Sequence, residues 1–260
     1  VLYPGLRGQK VGDKLFFLTS KSRGADALLN ATKDITRANA NGAEQFIAVQ
    51  LTAKEKSCLV AGMPCNADLC EYAAGYYDKL PKALEQLIQQ GGVNDQGHIE
   101  AVAKQHQVCP FELSLDLATW SDLIIGDYNY IFDPVVRLQR FIAQPNIHLL
   151  VDEAHQLSPR VQSMLGVEVT SLEIRAAKSC SNKSMSKSVL SLERAIKKTA
   201  KGLAQGEHEI IQTVSLDRAV TKFLENYEHT ELVEDREPEL EALYFACLRW
   251  ARGASWFQKK

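Results

Sequence analysis

The chain has 260 residues, of which 45% are apolar and 24% are charged; this composition is typical of globular proteins and excludes a disordered, collagen-like or disulfide-stapled small protein. The 30 Lys and Arg residues against 32 Asp and Glu residues leave a net charge of -2, so any nucleic-acid binding has to come from local patches. The apolar runs are too short to cross a bilayer, and no secretory pattern opens the sequence, so we expect no leader, no membrane contact and a cytoplasmic location. In such a reducing compartment the six cysteines are expected to be thiols or metal ligands.

Short apolar runs bounded by polar residues predict the strands of an α/β sheet. Residues 15–18 and 46–51 predict two buried strands, and residues 25–38 between them have the composition of a helix. Residues 122–127 and 148–152 predict two further strands. The strand–helix–strand order favours a parallel, doubly wound sheet.

The segment 52–117 interrupts this alternation. It holds four of the six cysteines and no convincing strand. Helices are predicted over residues 72–90, interrupted or restarted at Pro81, and over residues 96–107. We therefore expect this segment to be an insertion into the sheet.

After about residue 170 the sequence pattern becomes helical. The predicted helices cover residues 172–178, 188–202, 216–227 and 240–257. We therefore expect three domains: a sheet domain made of residues 1–51 and 118–168, an inserted domain of residues 52–117, and a helical domain of residues 169–260.

Four cysteines of the inserted segment follow the pattern C-x6-C-x4-C-x38-C: Cys58, Cys65, Cys70 and Cys109. Three thiols in one loop and a fourth from afar can wrap one metal centre, and an iron–sulfur cluster, held by four Cys thiolates, tolerates such uneven spacing. Structural zinc usually uses two C-x2-4-C pairs, which are absent, although His98 and His106 leave a mixed Cys/His zinc site open. Unligated core thiols are a third alternative, and Cys180 and Cys247 are expected to be core or incidental thiols.

Residues 149–155 combine an apolar strand with the tetrapeptide Asp-Glu-Ala-His. This order places Asp152 and Glu153 at the carboxyl edge of a sheet, where α/β folds bind ligands; there an Asp can hold Mg²⁺ and a Glu can polarise an attacking water. The alternative is an N-cap followed by first-turn acids of a helix. The phosphate-binding loop G-x-x-x-x-G-K-[ST] is absent, so either the acid pair is not part of an ATPase or the loop lies upstream of Val1.

Together these motifs resemble the XPD/DinG-like, iron–sulfur-containing superfamily 2 DNA helicases, and the similarity is closest to the bacterial DinG-related branch. It rests on the cysteine motifs of residues 53–78 and 108–116, on residues 126–130 and 132–134, and on the DEAH tetrapeptide that follows them. The resemblance covers roughly residues 10–160, and later residues match by position and helical character.

In this family the first RecA-like motor domain carries two insertions, a cluster domain before the DEAH box and a helical arch after it. The resemblance therefore implies that the four cysteines ligate a [4Fe-4S] cluster and that residues 169–260 form an arch-like domain. It also implies that Asp152 holds Mg²⁺, that Glu153 positions the hydrolytic water, and that His155 couples the nucleotide state to the rest of the motor.

A DNA-binding surface is predicted around the cysteine loop. Cations and aromatic side chains alternate there, which suits a groove in which phosphates meet lysines and bases stack on rings. The residues are Lys54, Lys56, Tyr76, Tyr77 and Lys79. The alternative is that the tyrosines pack internally while the lysines are only solvated. The resemblance adds Thr19 as a contact to the DNA backbone.

The resemblance implies that the chain is a fragment of an ATP-dependent 5′-to-3′ DNA helicase of DNA repair or replication, with a nucleoid-associated location. Its partners would be single-stranded DNA and the remainder of the helicase, namely an upstream Walker A segment and a second RecA-like domain. Because such helicases hydrolyse ATP between two motor domains, the chain alone is expected to be inactive. The alternative is a noncatalytic, metal-stabilised DNA-binding or protein-interaction module with a vestigial DEAH tetrapeptide.

Overall fold

The computed structural model describes residues 2–19, 22–38, 46–142, 144–181, 183–201, 214–229 and 237–257. The chain divides into two compact units. The first comprises Val1–Ile131 and Leu138–Leu157, and the second comprises Phe132–Arg137 and Ser158–Lys260. Within the described ranges, every helix is too short or too polar to cross a membrane.

The first unit is an α/β domain. In chain order its elements are α1 (Leu2–Arg7), β1 (Lys14–Thr19), α2 (Ser22–Ala38), β2 (Ile47–Gln50), α3 (Lys54–Ser57), α4 (Tyr76–Gln90), β3 (Gly92–Asn94), α5 (Gln96–His106), α6 (Pro110–Ala118), β4 (Leu123–Asp127), α7 (Asn129–Phe132), α8 (Gln139–Ile142) and β5 (Ile147–Val151). The last residue of α7, Phe132, is assigned to the second unit. The strands pair in parallel in the order β3-β2-β4-β1-β5. The predicted α/β class and parallel sheet are therefore confirmed.

The central strands β1 and β4 carry continuous apolar runs because both faces of a parallel sheet are covered. The side chains of Phe16, Leu18 and Ile124 are completely excluded from solvent, and burying each one contributes about 1.5–3 kcal/mol. The register places Thr19 beside Asp127, where both strands end. The polar residues that follow the apolar runs therefore meet at one edge of the sheet.

Several elements lie where the sequence pattern predicted none, among them strand β3 and helix α1. Strand β3 pairs with β2 although it falls within residues 52–117; it has three residues, and Gly91 and Gly92 at its start both adopt positive φ, so no alternating apolar pattern marks it. Helix α1 forms because Pro4 lies in its first turn, where proline is tolerated, and Leu2 is buried. The inserted segment thus contributes a strand to the main sheet, while its boundaries at residues 51 and 117 stay predictions.

Helix α4 differs from the prediction at its start and at its proline. It begins at Tyr76, directly after Gly75 in a left-handed conformation, and it continues through Pro81 without a break. A proline inside a helix removes one backbone hydrogen bond, but Ala83 and Leu87 of the same helix are fully buried. Because tertiary packing supplies most helical stability in proteins, burial of this face outweighs the lost bond.

The second unit is helical, as predicted. Its helices are α9 (Leu157–Leu165), α10 (Ser171–Cys180), α11 (Lys183–Thr199), α12 (Val214–His229) and α13 (Pro238–Phe257). The first residue of α9, Leu157, is assigned to the first unit. Residue 202, the predicted end of the second of the four C-terminal helices, lies outside the described residues. Thr170 begins α10 with a capping box, since its Oγ1 accepts from the Glu173 N–H at 3.2 Å and the Glu173 carboxylate accepts from the Thr170 N–H at 2.6 Å.

Candidate functional site

The carboxyl ends of β4, β1 and β5 lie side by side because these parallel strands are neighbours in the sheet. Thr19 is buried at the end of β1 beside Asp127. The N–H of Asp152, just after β5, donates to the carbonyl of Leu18 at 2.9 Å. The structure therefore brings Thr19 and Asp152 of the predicted site to one edge and adds Asp127, which the sequence analysis did not select.

Asp152 and Glu153 form a tight turn directly after β5. Glu153 has φ 49° and ψ 44°, a left-handed conformation that residues other than glycine seldom adopt. It precedes a short 3₁₀ helix, Ala154–Gln156, but its side chain makes no capping hydrogen bond. The carboxylate instead lies 3.3 Å from Nδ1 of His155. The structure thus pairs two predicted site residues, and Glu153 takes the N-cap position without a side-chain capping bond.

The carboxylate of Asp152 is a candidate metal ligand. Asp152 is half-buried at the sheet edge. Within the described part of the chain, its side chain makes no hydrogen bond or ion pair. Carboxylate oxygens are the donors that Mg²⁺ prefers, usually with several waters retained. The residues present at this edge therefore fit a magnesium site.

Tyr128 also lies at this edge; the sequence alone leaves base stacking and internal packing open for this residue, as it does for Tyr130. Tyr128 follows β4, its side chain is completely buried, and its hydroxyl donates a hydrogen bond to the backbone carbonyl of Asp152. Gly126 is needed in the same segment, since a Cβ there would lie 2.9 Å from the ring of Tyr130. The sequence signal for both features is the motif Gly-Asp-Tyr-Asn-Tyr at residues 126–130.

The four cysteines of the inserted segment are positioned by local turns and a helix start. Cys58 ends α3, and its N–H donates to the carbonyl of Lys54. Cys70 is buried, and its N–H donates to the carbonyl of Asn66 at 3.0 Å. Cys109 directly precedes α6, whose first residue is a proline, a common arrangement at a helix N-terminus.

Electrostatic interactions connect three of these cysteines. Burial raises the pKa of the Cys109 thiol, against the backbone N–H groups that lower it, and Cys58 raises it further. The pKa of Lys54 is raised, first by a hydrogen bond with the Cys65 side chain and also by the charges of Cys109 and Glu112. Cys58, Cys65 and Cys109 thus share one neighbourhood with a cation beside it.

The thiols are not gathered as they would be around a single metal ion. Among the described residues, no three of their sulfur atoms lie within 4.8 Å of one another. Four thiolates on one zinc ion lie about 3.8 Å apart, given a Zn–S distance of about 2.3 Å in a tetrahedron. The four free thiols are the donor set that holds an iron–sulfur cluster in proteins.

The predicted DNA-binding residues have different environments. Tyr76 is only 8% exposed, and its hydroxyl donates to Asp116 at 2.8 Å; burial, followed by this hydrogen bond, raises its pKa. The packing alternative therefore holds for Tyr76 in this structure. Tyr77 is 82% exposed, and its ring meets that of Tyr76 edge-on, with centroids 5.4 Å apart.

The three predicted lysines also differ. Lys79 uses its ammonium group to bind the carbonyls of Ala74 and Gln107, at 2.8 Å and 3.2 Å, so it fastens the cysteine loop to the end of α5. Lys54 and Lys56 are exposed on α3. Only these two, together with Tyr77, present solvent-accessible groups suited to a polyanion with stacking bases.

One metal-ligand group that the sequence analysis missed lies in the second unit. Cys180 stands beside Glu237 and Glu239, with one ligand atom of each within 4.8 Å of the others. The two glutamates lie at the start of α13, where acidic residues stabilise a helix through its dipole. A structural role therefore accounts for both acids.

The DEAD_2 family matches residues 21–174, more than half of the chain. Similar curated proteins include "Regulator of telomere elongation helicase 1 homolog" of Caenorhabditis elegans, 26% identical over 194 residues, covering 73% of this chain and 19% of that protein. Another is "Fanconi anemia group J protein homolog" of Gallus gallus, 24% identical over 182 residues, covering 64% of this chain and 14% of that protein. The chain thus spans about a fifth or less of the length of these relatives.

Solved structures similar to this chain include one described as "Truncated XPD". It has a TM-score of 0.47 and 16% sequence identity, and the match covers 99% of this chain and 71% of that one. A second, "XPD_Helicase", has a TM-score of 0.45 and 15% identity, covering 95% of this chain and 43% of that one.

Proposed function

Because the chain belongs to the DEAD_2 family of XPD-like helicases, we propose that it is part of the first motor domain of an ATP-dependent 5′-to-3′ DNA helicase that carries a [4Fe-4S] cluster. The observation that carries the proposal is the edge where β4, β1 and β5 end, since it holds Thr19, Asp127 and Asp152 together. Ligands of α/β folds bind outside the carboxyl ends of the strands. The family prediction made from the sequence is confirmed, while the bacterial DinG-related branch and a nucleoid-associated location stay predictions.

The edge residues have distinct roles in this proposal. Asp152 would hold Mg²⁺, which when bound neutralises charge on the phosphates of ATP. Glu153 orients the attacking water, and His155 holds the Glu153 carboxylate through the contact of 3.3 Å. Phosphoryl transfer is catalysed mainly by positioning and electrostatic stabilisation. A phosphate cradle and arginine residues from elsewhere in the helicase complete the site, so we expect the 260-residue chain alone to be inactive.

The open side of the sheet supports an association with the rest of the helicase. Among the described residues, β5 pairs with β1 alone and forms the sheet edge. His148 and Leu149 of β5 are exposed, although interior strands of parallel sheets are covered on both faces. An upstream segment with a Walker A loop would cover this side and place its phosphate-binding loop near Asp152.

The four thiols Cys58, Cys65, Cys70 and Cys109 would ligate the cluster. When bound, it would join the α3 end, the loop before α4 and the α6 start into one folded unit, because metal binding stabilises the fold that presents its ligands. Four Cys thiolates are the usual ligand set of such a cluster, and the uneven C-x6-C-x4-C-x38-C spacing in the sequence differs from the paired C-x2-4-C ligands of structural zinc. His98 and His106 bind Gln90 and Gln86 instead, at 2.9 Å and 2.6 Å, which weighs against the mixed Cys/His zinc site.

Single-stranded DNA is the proposed polymer substrate. Lys54 and Lys56 would meet phosphates, and Tyr77 would offer a ring for base stacking, worth about 1–3 kcal/mol per base. Thr19 is buried at the sheet edge, so its predicted contact with the DNA backbone is not part of this surface. The contact surface is local, in keeping with the net charge of -2.

ATP hydrolysis by the full-length protein that contains this chain tests the proposal. We expect hydrolysis stimulated by single-stranded DNA, and a loss of about 100-fold or more in Glu153→Gln, because general-base assistance contributes at least this much. The matched control is Glu168→Gln, an exposed glutamate of the second unit, which should behave like wild type. Full hydrolysis by Glu153→Gln would overturn the assignment. DNA binding that depends on salt, without any hydrolysis by the wild type, would favour the noncatalytic module.

A further inference from the structure

The hydroxyl of Tyr128 reaches across the sheet edge to the DEAH turn. Strands β4 and β5 flank β1, so their ends are separated by about 10 Å, which is two strand spacings. Tyr128 follows β4, and its hydroxyl donates to the backbone carbonyl of Asp152 after β5. The side chain therefore bridges the end of β1, where Thr19 lies.

The bridge starts from a rigid support. The side chain of Asp127 accepts a hydrogen bond from the N–H of Asn129 at 2.9 Å, and the carbonyl of Tyr128 accepts from the N–H of Ile131 at 3.1 Å. Such a turn fixes the backbone on both sides of Tyr128. A fully buried tyrosine ring has no room to change rotamer without repacking.

The bonded carbonyl belongs to the peptide that joins Asp152 to Glu153. The N–H of Asp152 is held by Leu18, so both backbone polar groups of Asp152 are fixed. The orientation of this peptide plane sets φ of Glu153, which is 49°. A left-handed conformation is unfavourable for a residue other than glycine and persists only where the surroundings impose it. The hydroxyl of Tyr128 supplies such a constraint.

We propose that Tyr128 is a positioning residue that holds the Asp152–Glu153 peptide and thereby aims the Glu153 carboxylate. The role of that carboxylate in hydrolysis rests on the proposed function. Tyr128 itself touches neither nucleotide nor water in this account. It acts through one backbone hydrogen bond, so the hydroxyl rather than the ring is the part that matters.

Tyr128→Phe in the full-length protein removes this hydroxyl and keeps the ring. We expect kcat of DNA-stimulated ATP hydrolysis to fall about 10- to 100-fold, the usual cost of removing a group that orients a ligand of the site, while KM for ATP changes less than about twofold. Tyr130→Phe is the matched control, because among the described residues the Tyr130 hydroxyl makes no hydrogen bond. A merely structural role would instead lower thermal stability and leave kcat of the folded enzyme unchanged.

Amide hydrogen exchange of residues 150–156 tests the same bridge without ATP turnover. In Tyr128→Phe this segment should exchange faster than in wild type, and in Tyr130→Phe it should not. Unchanged exchange in Tyr128→Phe, or an unchanged kcat in an active enzyme, would overturn the inference. If the wild type hydrolyses no ATP, the proposed function fails, and the exchange data alone decide whether Tyr128 holds the turn.

Discussion

Replacing Tyr76 by phenylalanine should destabilise the unit that holds the cysteines. Tyr76 begins α4 and donates its hydroxyl to Asp116 of α6 at 2.8 Å, so this bond connects the helix after Cys70 to the helix that starts after Cys109. A hydrogen bond to a charged group contributes about 1.5–3 kcal/mol. Asp116 keeps a second partner, Arg140, at 3.0 Å, so the variant does not leave the carboxylate isolated.

The expected loss is therefore at the lower end of that range, about 1.5 kcal/mol, or roughly a tenfold change in the unfolding equilibrium. Urea denaturation followed by circular dichroism measures it, with the m-value checked for constancy. Tyr77→Phe is the matched control, because that neighbouring ring is 82% exposed, and surface substitutions usually change stability by less than about 0.5 kcal/mol. Equal midpoints for Tyr76→Phe and wild type, or equal losses in both variants, would refute the reasoning.

Four further predictions concern pH, the cluster, DNA and packing. The raised pKa of Tyr76 means that the stability contributed by its protonated hydroxyl is complete below the unfolded-state pKa of about 10 and is lost as pH rises beyond that value. Tyr76→Phe should therefore flatten the alkaline decline of the urea midpoint. Cys109→Ser should lose most of about four irons per chain in elemental analysis, and unchanged iron would contradict the ligand assignment. Lys56→Ala should lower the salt slope of single-stranded DNA binding by about 0.7 with iron unchanged. Lys104→Ala, at an exposed position of α5, should leave the slope as it is. Gly126→Ala should cost about 1–3 kcal/mol in denaturation, because its Cβ would lie 2.9 Å from an aromatic ring, and a neutral result would contradict this close packing.

The strands and the DEAH turn could be predicted because their signals are local. Continuous apolar runs mark β1 and β4, and the acids that follow β5 must lie at the carboxyl edge of a parallel sheet. Strand β3 could not be predicted, because it has only three residues, begins with Gly92 and directly follows Gly91. So short a segment carries no periodic pattern. Its place in the sheet depends on pairing with β2, which is a tertiary interaction.

The site was predictable in its residue types more than in its contacts. Tyr76 and Tyr77 are adjacent in sequence and both aromatic, but helical geometry turns them about 100° apart, and only the position of α6 decides which one is buried. The bond from Tyr128 to Asp152 joins residues 24 positions apart and requires the strand order β4-β1-β5. The local sequence marks residues 126–130 as a motif, but it does not give the partner of Tyr128 or the buried one of the two tyrosines.

Strand displacement by the full-length protein tests the helicase assignment most directly. The substrates are two DNA duplexes of the same sequence, one with a 5′ single-stranded tail and one with a 3′ tail. The account predicts ATP-dependent unwinding of the 5′-tailed duplex, little unwinding of the 3′-tailed duplex, and none of either by Glu153→Gln. A wild-type protein that binds the 5′ tail but does not unwind its duplex, or a Glu153→Gln variant that unwinds it as fast as wild type, would contradict the account.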